Sequence, residues 1–212
     1  MRKIEPVVIA LALIILIGAT LRIVGINWDQ NQHLHPDERF LTMVTENLIW
    51  PKSITVYFST SASPANPHNV GFPFYVYGTF PVFVTKSISQ VINLHTYNGI
   101  TLVGRFISAS LDVLIIFFVW GISLIIFKNK IIALFSAFFY SLSVLPIQLS
   151  HFYAVDTFMV AALYGSFYFL QKYLQACYID LDPAARSRYI QDKNSCLCKL
   201  RRFQYILSGN RA

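Results

Sequence analysis

Two carboxylates stand side by side in His35-Pro36-Asp37-Glu38, just after a hydrophobic N-terminal stretch and before a long polar and aromatic loop. A carboxylate within hydrogen-bond reach of a hydroxyl can take its proton as a new bond forms. The plainer reading makes Asp37 and Glu38 ordinary first-turn helix acids after Pro36, favoured by the helix dipole. A third acid, Asp156, ends the corner Ser150-His151-Phe152-Tyr153-Ala154-Val155-Asp156 at the start of an apolar segment. An acid so placed is costly unless it faces a polar cavity, which makes it a functional candidate. Arg39 and Arg105 are candidate sources of positive charge for an anionic group. His151 is either a substrate contact or an interfacial polar residue. His33, His35 and His68 do not have spacing diagnostic of zinc and read as solvated loop histidines. Cys177, Cys196 and Cys198 all fall in the last third, with no CxxC pair and no disulfide framework for the loop. Cys196 and Cys198, near Lys199, Arg201 and Arg202, are either acylated beside a membrane or unmodified thiols in a basic tail.

These residues are set among apolar runs. The chain is 55% hydrophobic and only 13% charged, and several runs reach spanning length, which points to a multi-pass membrane protein. A net charge of +7 in a soluble protein would suggest nucleic acid. Here the basic residues cluster at Arg2-Lys3, at Lys128 and Lys130, and from Arg186 to Arg211, as cytoplasmic flanks of membrane helices do. No nucleic-acid partner is expected.

Pro6–Ile26 is the first expected span, roughly 31 Å long at about 1.5 Å per residue. Arg2 and Lys3 place its start in the cytoplasm, and Arg22 near its far end is expected to snorkel to the head groups. Apolar residues continue to Ile26 and more spans follow, which favours a retained span over a cleaved signal peptide. Asn27–His68 is polar. Within it, Asp37–Trp50 places Phe40, Leu41, Val44, Leu48 and Ile49 on one side at helical spacing, as in a short helix lying on the membrane surface. Lys52–Asn69, with its Ser, Pro and Asn, reads as loop.

Gly71–Asn93 is long enough to span, yet Pro73, Pro81, Lys86, Ser87, Ser89 and Gln90 interrupt it. Charge decides its placement. Leu102–Phe127 and Ile131–Leu149 are separated only by the basic turn Lys128-Asn129-Lys130, expected in the cytoplasm. If Gly71–Asn93 lies in the interface as an aromatic anchor, that turn is inside. The basic C-terminal tail is then also inside, after a fourth span, Phe152–Leu174. The loop with Asp37-Glu38 and the corner ending in Asp156 then open on the same non-cytoplasmic side.

With these residues placed, the chain resembles the polytopic glycosyltransferases that use lipid-phosphate-linked sugars, the GT-C architecture. It is nearest in flavour to the protein O-mannosyltransferases and the lipid A aminoarabinose transferases. The resemblance rests on an ordered set across roughly residues 5 to 175: Leu21-Arg22 ending the first span, then Asp37-Glu38-Arg39-Phe40 opening a surface helix. The Pro-aromatic segment Gly71-Phe72-Pro73-Phe74-Tyr75-Val76-Tyr77-Gly78, Leu102-Val103-Gly104-Arg105-Phe106, and the corner ending in Asp156 complete it. It implies inverting transfer from a polyprenyl-phosphate sugar to an acceptor hydroxyl on a protein, lipid or glycan. Asp37 would be general base, Glu38 would line the site, and Asp156 would orient the acceptor or a cation. Arg39, Arg105 and His151 are carried as substrate contacts, with a divalent metal as the other way to offset the leaving phosphate. Some relatives carry an acidic residue before the Pro-aromatic segment. This chain has His68-Asn69-Val70 there, so no metal ligands are carried over.

The expectation is thus an all-α, multi-pass membrane protein with about four spans and surface helices in the first outer loop, in the cell (inner or plasma) membrane with its N-terminus cytoplasmic. Residues 1–176 would be the N-terminal transmembrane part of a GT-C-like transferase. Residues 177–212 would be a basic cytoplasmic tail that matches nothing in the family, and whose presence fits a truncated reading frame. The alternative is a small non-enzymatic membrane protein, transporter-like or an assembly subunit, favoured by the short length.

Overall fold

The computed structural model describes residues 5–181, with side chains as far as Cys177. Every element among them is helical: α1 (Pro6–Ile23), α2 (Pro36–Asn47), α3 (Ile54–Phe58), α4 (Thr79–Val91), α5 (Tyr97–Phe127), α6 (Lys130–Ser141), α7 (Val144–Ser150) and α8 (Val155–Leu181), with one 3₁₀ turn at Pro67–Val70. The chain divides into two compact units, Met1–Tyr164 and Gly165–Ala212. The second is described only as far as Leu181, where it is the C-terminal part of α8.

Local chemistry sets the helix ends. Pro6 and Pro36 open α1 and α2 at positions whose missing N–H costs nothing. The His35 Nδ1 accepts from the Glu38 amide at 3.3 Å and caps α2. The expected surface helix ends at Asn47, short of Trp50, because Pro51 can neither donate to the Asn47 carbonyl nor pack against it. Asn129 caps α6 by accepting from the amides of Ile131 and Ile132, so the basic turn folds α6 back onto α5.

α5 is the trunk of the first unit. α1, α2, α4, α6 and α7 all pack against it. Small residues allow close approach: a side chain on Gly18 of α1 would strike Ile116 of α5, and one on Gly104 would strike the Tyr153 ring. On the loop side of α5, Leu41 and Val44 of α2 and Leu48 just after it form a core with Tyr75, Val82, Tyr153 and Phe158. Full burial of such a side chain stabilises by roughly 1.5–3 kcal/mol.

Among the described residues two helices, α1 and α5, are long and apolar enough to cross a membrane, and α6–α7 is a third if that bent pair counts as one span. The sequence suggested one continuous span over Ile131–Leu149. It is broken between Ser141 and Val144 with a bend of 56°. Pro146 lacks the N–H that would bond the Leu142 carbonyl and clashes with it, which ends α6 there. α4 has 13 residues and reaches about 20 Å, too short to cross. The expected span Phe152–Leu174 overlaps α8, which begins at Val155 and is less apolar than α1 and α5. Asp156, Gln171, Lys172 and Gln175 dilute it.

Candidate functional site

The site is built around a buried clamp. Arg105 of α5 uses all five guanidinium N–H groups. Nε and Nη2 donate to the two Glu38 carboxylate oxygens at 2.8 and 2.6 Å. Nη1 and Nη2 donate to Asp29 at 2.9 and 2.8 Å, and Nη1 also to the Ile26 carbonyl at 3.1 Å. The Trp28 ring faces the guanidinium, 5.5 Å away. Glu38 Oε1 further accepts from the Tyr153 amide at 2.8 Å. One arginine therefore joins the loop after α1, the first turn of α2 and the corner before α8. Asp29 also accepts from the amides of Asn31 and Leu34. The Arg105 hydrogen bonds hold its carboxyl down at about 2, against the opposing effect of its burial.

Asp37 and Glu38 are neighbours with different surroundings. Successive helical residues point about 100° apart, so with Glu38 fixed inward Asp37 emerges on the exposed side of α2. Asp156, also exposed, opens α8. Tyr77, in the Pro-aromatic segment, lies in the field of both acids. Burial first, then the two negative charges, push its pKa above the ordinary 10.0, so it stays a neutral donor. Two acids far apart in sequence thus bear on one phenol.

The remaining expected residues separate. Arg39 is exposed, on another side of α2. Its carbonyl accepts from the Tyr97 hydroxyl at 3.3 Å, and among the described residues its guanidinium has no ion-pair partner. His151 has its ring nitrogens against the Ile147 and Val24 carbonyls at 2.8 and 3.0 Å, so it joins α7 to the end of α1. Glu38 and Arg105 face each other inside the protein, and neither side chain is open to a substrate. His33 bonds Asn98, His35 caps α2 and stacks on Phe152, and His68 bonds the Pro73 carbonyl. Among the described residues no three of His, Cys, Asp and Glu form a group that could hold a metal. Cys196 and Cys198 lie outside the described residues; Cys177 is a free thiol.

Sequence reasoning missed Asp29, Tyr77 and Asp112. Arg22 does not snorkel: it is fully buried, and its Nε donates to Asp112 Oδ2 at 2.5 Å. Its Nη1 donates to the carbonyls of Gly18 and Ser141 at 3.0 and 2.9 Å, capping the broken end of α6. The Tyr140 hydroxyl donates to Asp112 Oδ1 at 2.6 Å. A lone acid in the apolar run Leu102–Phe127 was the available signal.

A groove of about 880 Å³ also runs along α5, walled by Ile88, Ile92, Val103, Phe106, Ile107 and Leu111 and nearly free of polar groups. Compared with protein-family models, curated proteins and solved structures, the chain finds no match.

Proposed function

We propose that this protein is a membrane glycosyltransferase that moves a sugar from a polyprenyl-phosphate donor to an acceptor hydroxyl on the non-cytoplasmic face. The reading is carried by Asp37, an exposed carboxylate on a helix that the buried Glu38–Arg105 pair pins, and so suited to serve as a positioned base. The acceptor O–H gives its proton to Asp37 as the oxygen attacks the anomeric carbon. The bond from that carbon to the phosphate oxygen breaks, and polyprenyl phosphate departs with the electron pair. Tyr77 orients the Asp37 carboxylate, and Asp156 accepts a second hydroxyl. Arg105 is already committed and Arg39 projects about 160° from Asp37 around α2, so neither is assigned to the phosphate. The apolar groove along α5 suits a prenyl chain. The acceptor is a hydroxyl of a protein, lipid or glycan.

In this reading α1, α5, α6–α7 and α8 make four crossings of the cell membrane. The N-terminus and the Lys128-Asn129-Lys130 turn lie in the cytoplasm. Single cysteines at positions 37, 129 and 156, in a chain without the native three, test it with an impermeant thiol reagent. Labelling of 37 and 156 but not 129 from outside supports the topology; labelling of 129 from outside removes Asp156 from the site.

The chemistry is tested in lipid nanodiscs with a polyprenyl-phosphate hexose, following release of polyprenyl phosphate. Asp37→Asn should slow release by roughly a hundredfold or more, the usual share of a general base, while unfolding is unchanged. Wild-type turnover in that variant removes Asp37 as the base.

A further inference from the structure

A second recess lies between α5, the bent pair α6–α7 and the first turns of α8. Its volume is about 220 Å³, and its lining includes Asp112, Tyr140, Pro146, Asp156, Thr157 and Tyr164. Asp156 belongs to both places: it borders this cleft and acts on Tyr77 in the candidate site. The cleft thus extends from the proposed reaction centre toward the buried Asp112.

Size and polarity restrict what fits. An apolar cavity of about 150 Å³ holds one benzene molecule. The cleft therefore takes one substituted six-membered ring and not a disaccharide. The Tyr140 and Tyr164 rings, with centroids 6.1 Å apart, and Pro146 offer flat apolar surface to C–H groups. Asp156, the phenols and the Thr157 hydroxyl, which donates to Ser108 at 3.0 Å, offer oxygens to O–H donors. No lysine, arginine or histidine is among the lining residues. Arg22 stands behind Asp112 and donates to Asp112, Gly18 and Ser141. The charge left facing the cleft is that of Asp156, which repels a carboxylate or phosphate.

We infer that this cleft is a subsite for one uncharged monosaccharide ring and that it turns away acidic sugars. The inference rests on the transferase reading for the source of the sugar, but occupancy can be measured without turnover. Val160→Cys, in a wall of the cleft, is introduced into the full chain with Cys177, Cys196 and Cys198 replaced by serine, in nanodiscs. Its maleimide labelling is timed with a methyl hexopyranoside and with the matching methyl hexuronide. The neutral glycoside should slow labelling about threefold at twice its dissociation constant, and the uronide should leave the rate unchanged. Leu145→Cys is a second reporter should the first variant fold poorly. Equal protection by both sugars overturns the charge selectivity. Protection by neither overturns the subsite, even in a protein that transfers sugar. Protection together with wild-type turnover in Asp37→Asn upholds the subsite and removes the proposed role of Asp37.

Discussion

Glu38 and Arg105, 67 residues apart, meet in a two-pronged ion pair with oxygen–nitrogen distances of 2.8 and 2.6 Å and both side chains buried. Their pairing fixes more than themselves. It sets the rotation of α2 about its axis and so decides that Asp37, one residue earlier, emerges on the exposed side of α2. Through the Tyr153 amide it also ties the corner that leads to Asp156. The inward acid holds α2 in place; the outward acid is left at the surface.

Arg105→Lys should therefore destabilise the protein although charge is kept. An ammonium group is a point charge and cannot serve Glu38, Asp29 and the Ile26 carbonyl in one plane. Stranding a buried carboxylate costs about 3 kcal/mol or more. Thermal unfolding in nanodiscs should show a clear fall for this variant and little change for Arg39→Lys on the exposed side of α2. Equal midpoints in the two variants would mean that the clamp does not hold α2.

Asp29 makes stability depend on acid. Its folded pKa, held down at about 2 by the Arg105 hydrogen bonds, lies below the ordinary 3.8. A depressed carboxylate stabilises the fold fully above the unfolded value and loses that contribution as pH falls through the folded one. Stability should thus drop by about 2 kcal/mol between roughly pH 4 and pH 2 from this group. Asp29→Asn should remove that part of the slope, which denaturant titrations across the window would read.

Much of this was legible in the sequence where periodicity or charge spoke locally. Pro36 with two acids marks the start of α2, and the lysines around Asn129 mark the turn between α5 and α6. Asp29 gave no such sign, because a loop acid has no period and its partner is distant along the chain. Arg22 was misread because a cation near the end of a span ordinarily reaches water; only the packing of α1 against α5 and α6 brings it to Asp112. Tyr77 was hidden among aromatic neighbours that fit an interfacial anchor equally well. The break before α7 was signalled by Pro146, but the continuous hydropathy of the run outweighed it.

Tyr77→Phe separates orientation from structure. The ring remains and only the hydroxyl facing Asp37 is lost, so unfolding should stay near wild type. Release of polyprenyl phosphate should fall by about tenfold, the worth of one hydrogen bond to a charged group. A rate loss matched by an equal loss of stability would assign Tyr77 to packing alone.

The buried pair Arg22–Asp112 gives the final expectation. Asp112 is satisfied by Arg22 and Tyr140, while Arg22 also caps the carbonyls that the break in α6 sets free. Asp112→Asn leaves a cation without its counter-charge in an apolar bundle, at a cost of about 3 kcal/mol or more. Arg22→Met leaves the opposite charge and should cost as much. If ion pairing dominates, the double variant should be less damaged than the sum of the two, since no charge is then stranded. If capping of the α6 end dominates, the double variant should be no better than Arg22→Met, because the Ser141 carbonyl stays bare in both. Unfolding midpoints of the three variants in nanodiscs distinguish a pair kept for charge balance from one kept to permit a broken helix.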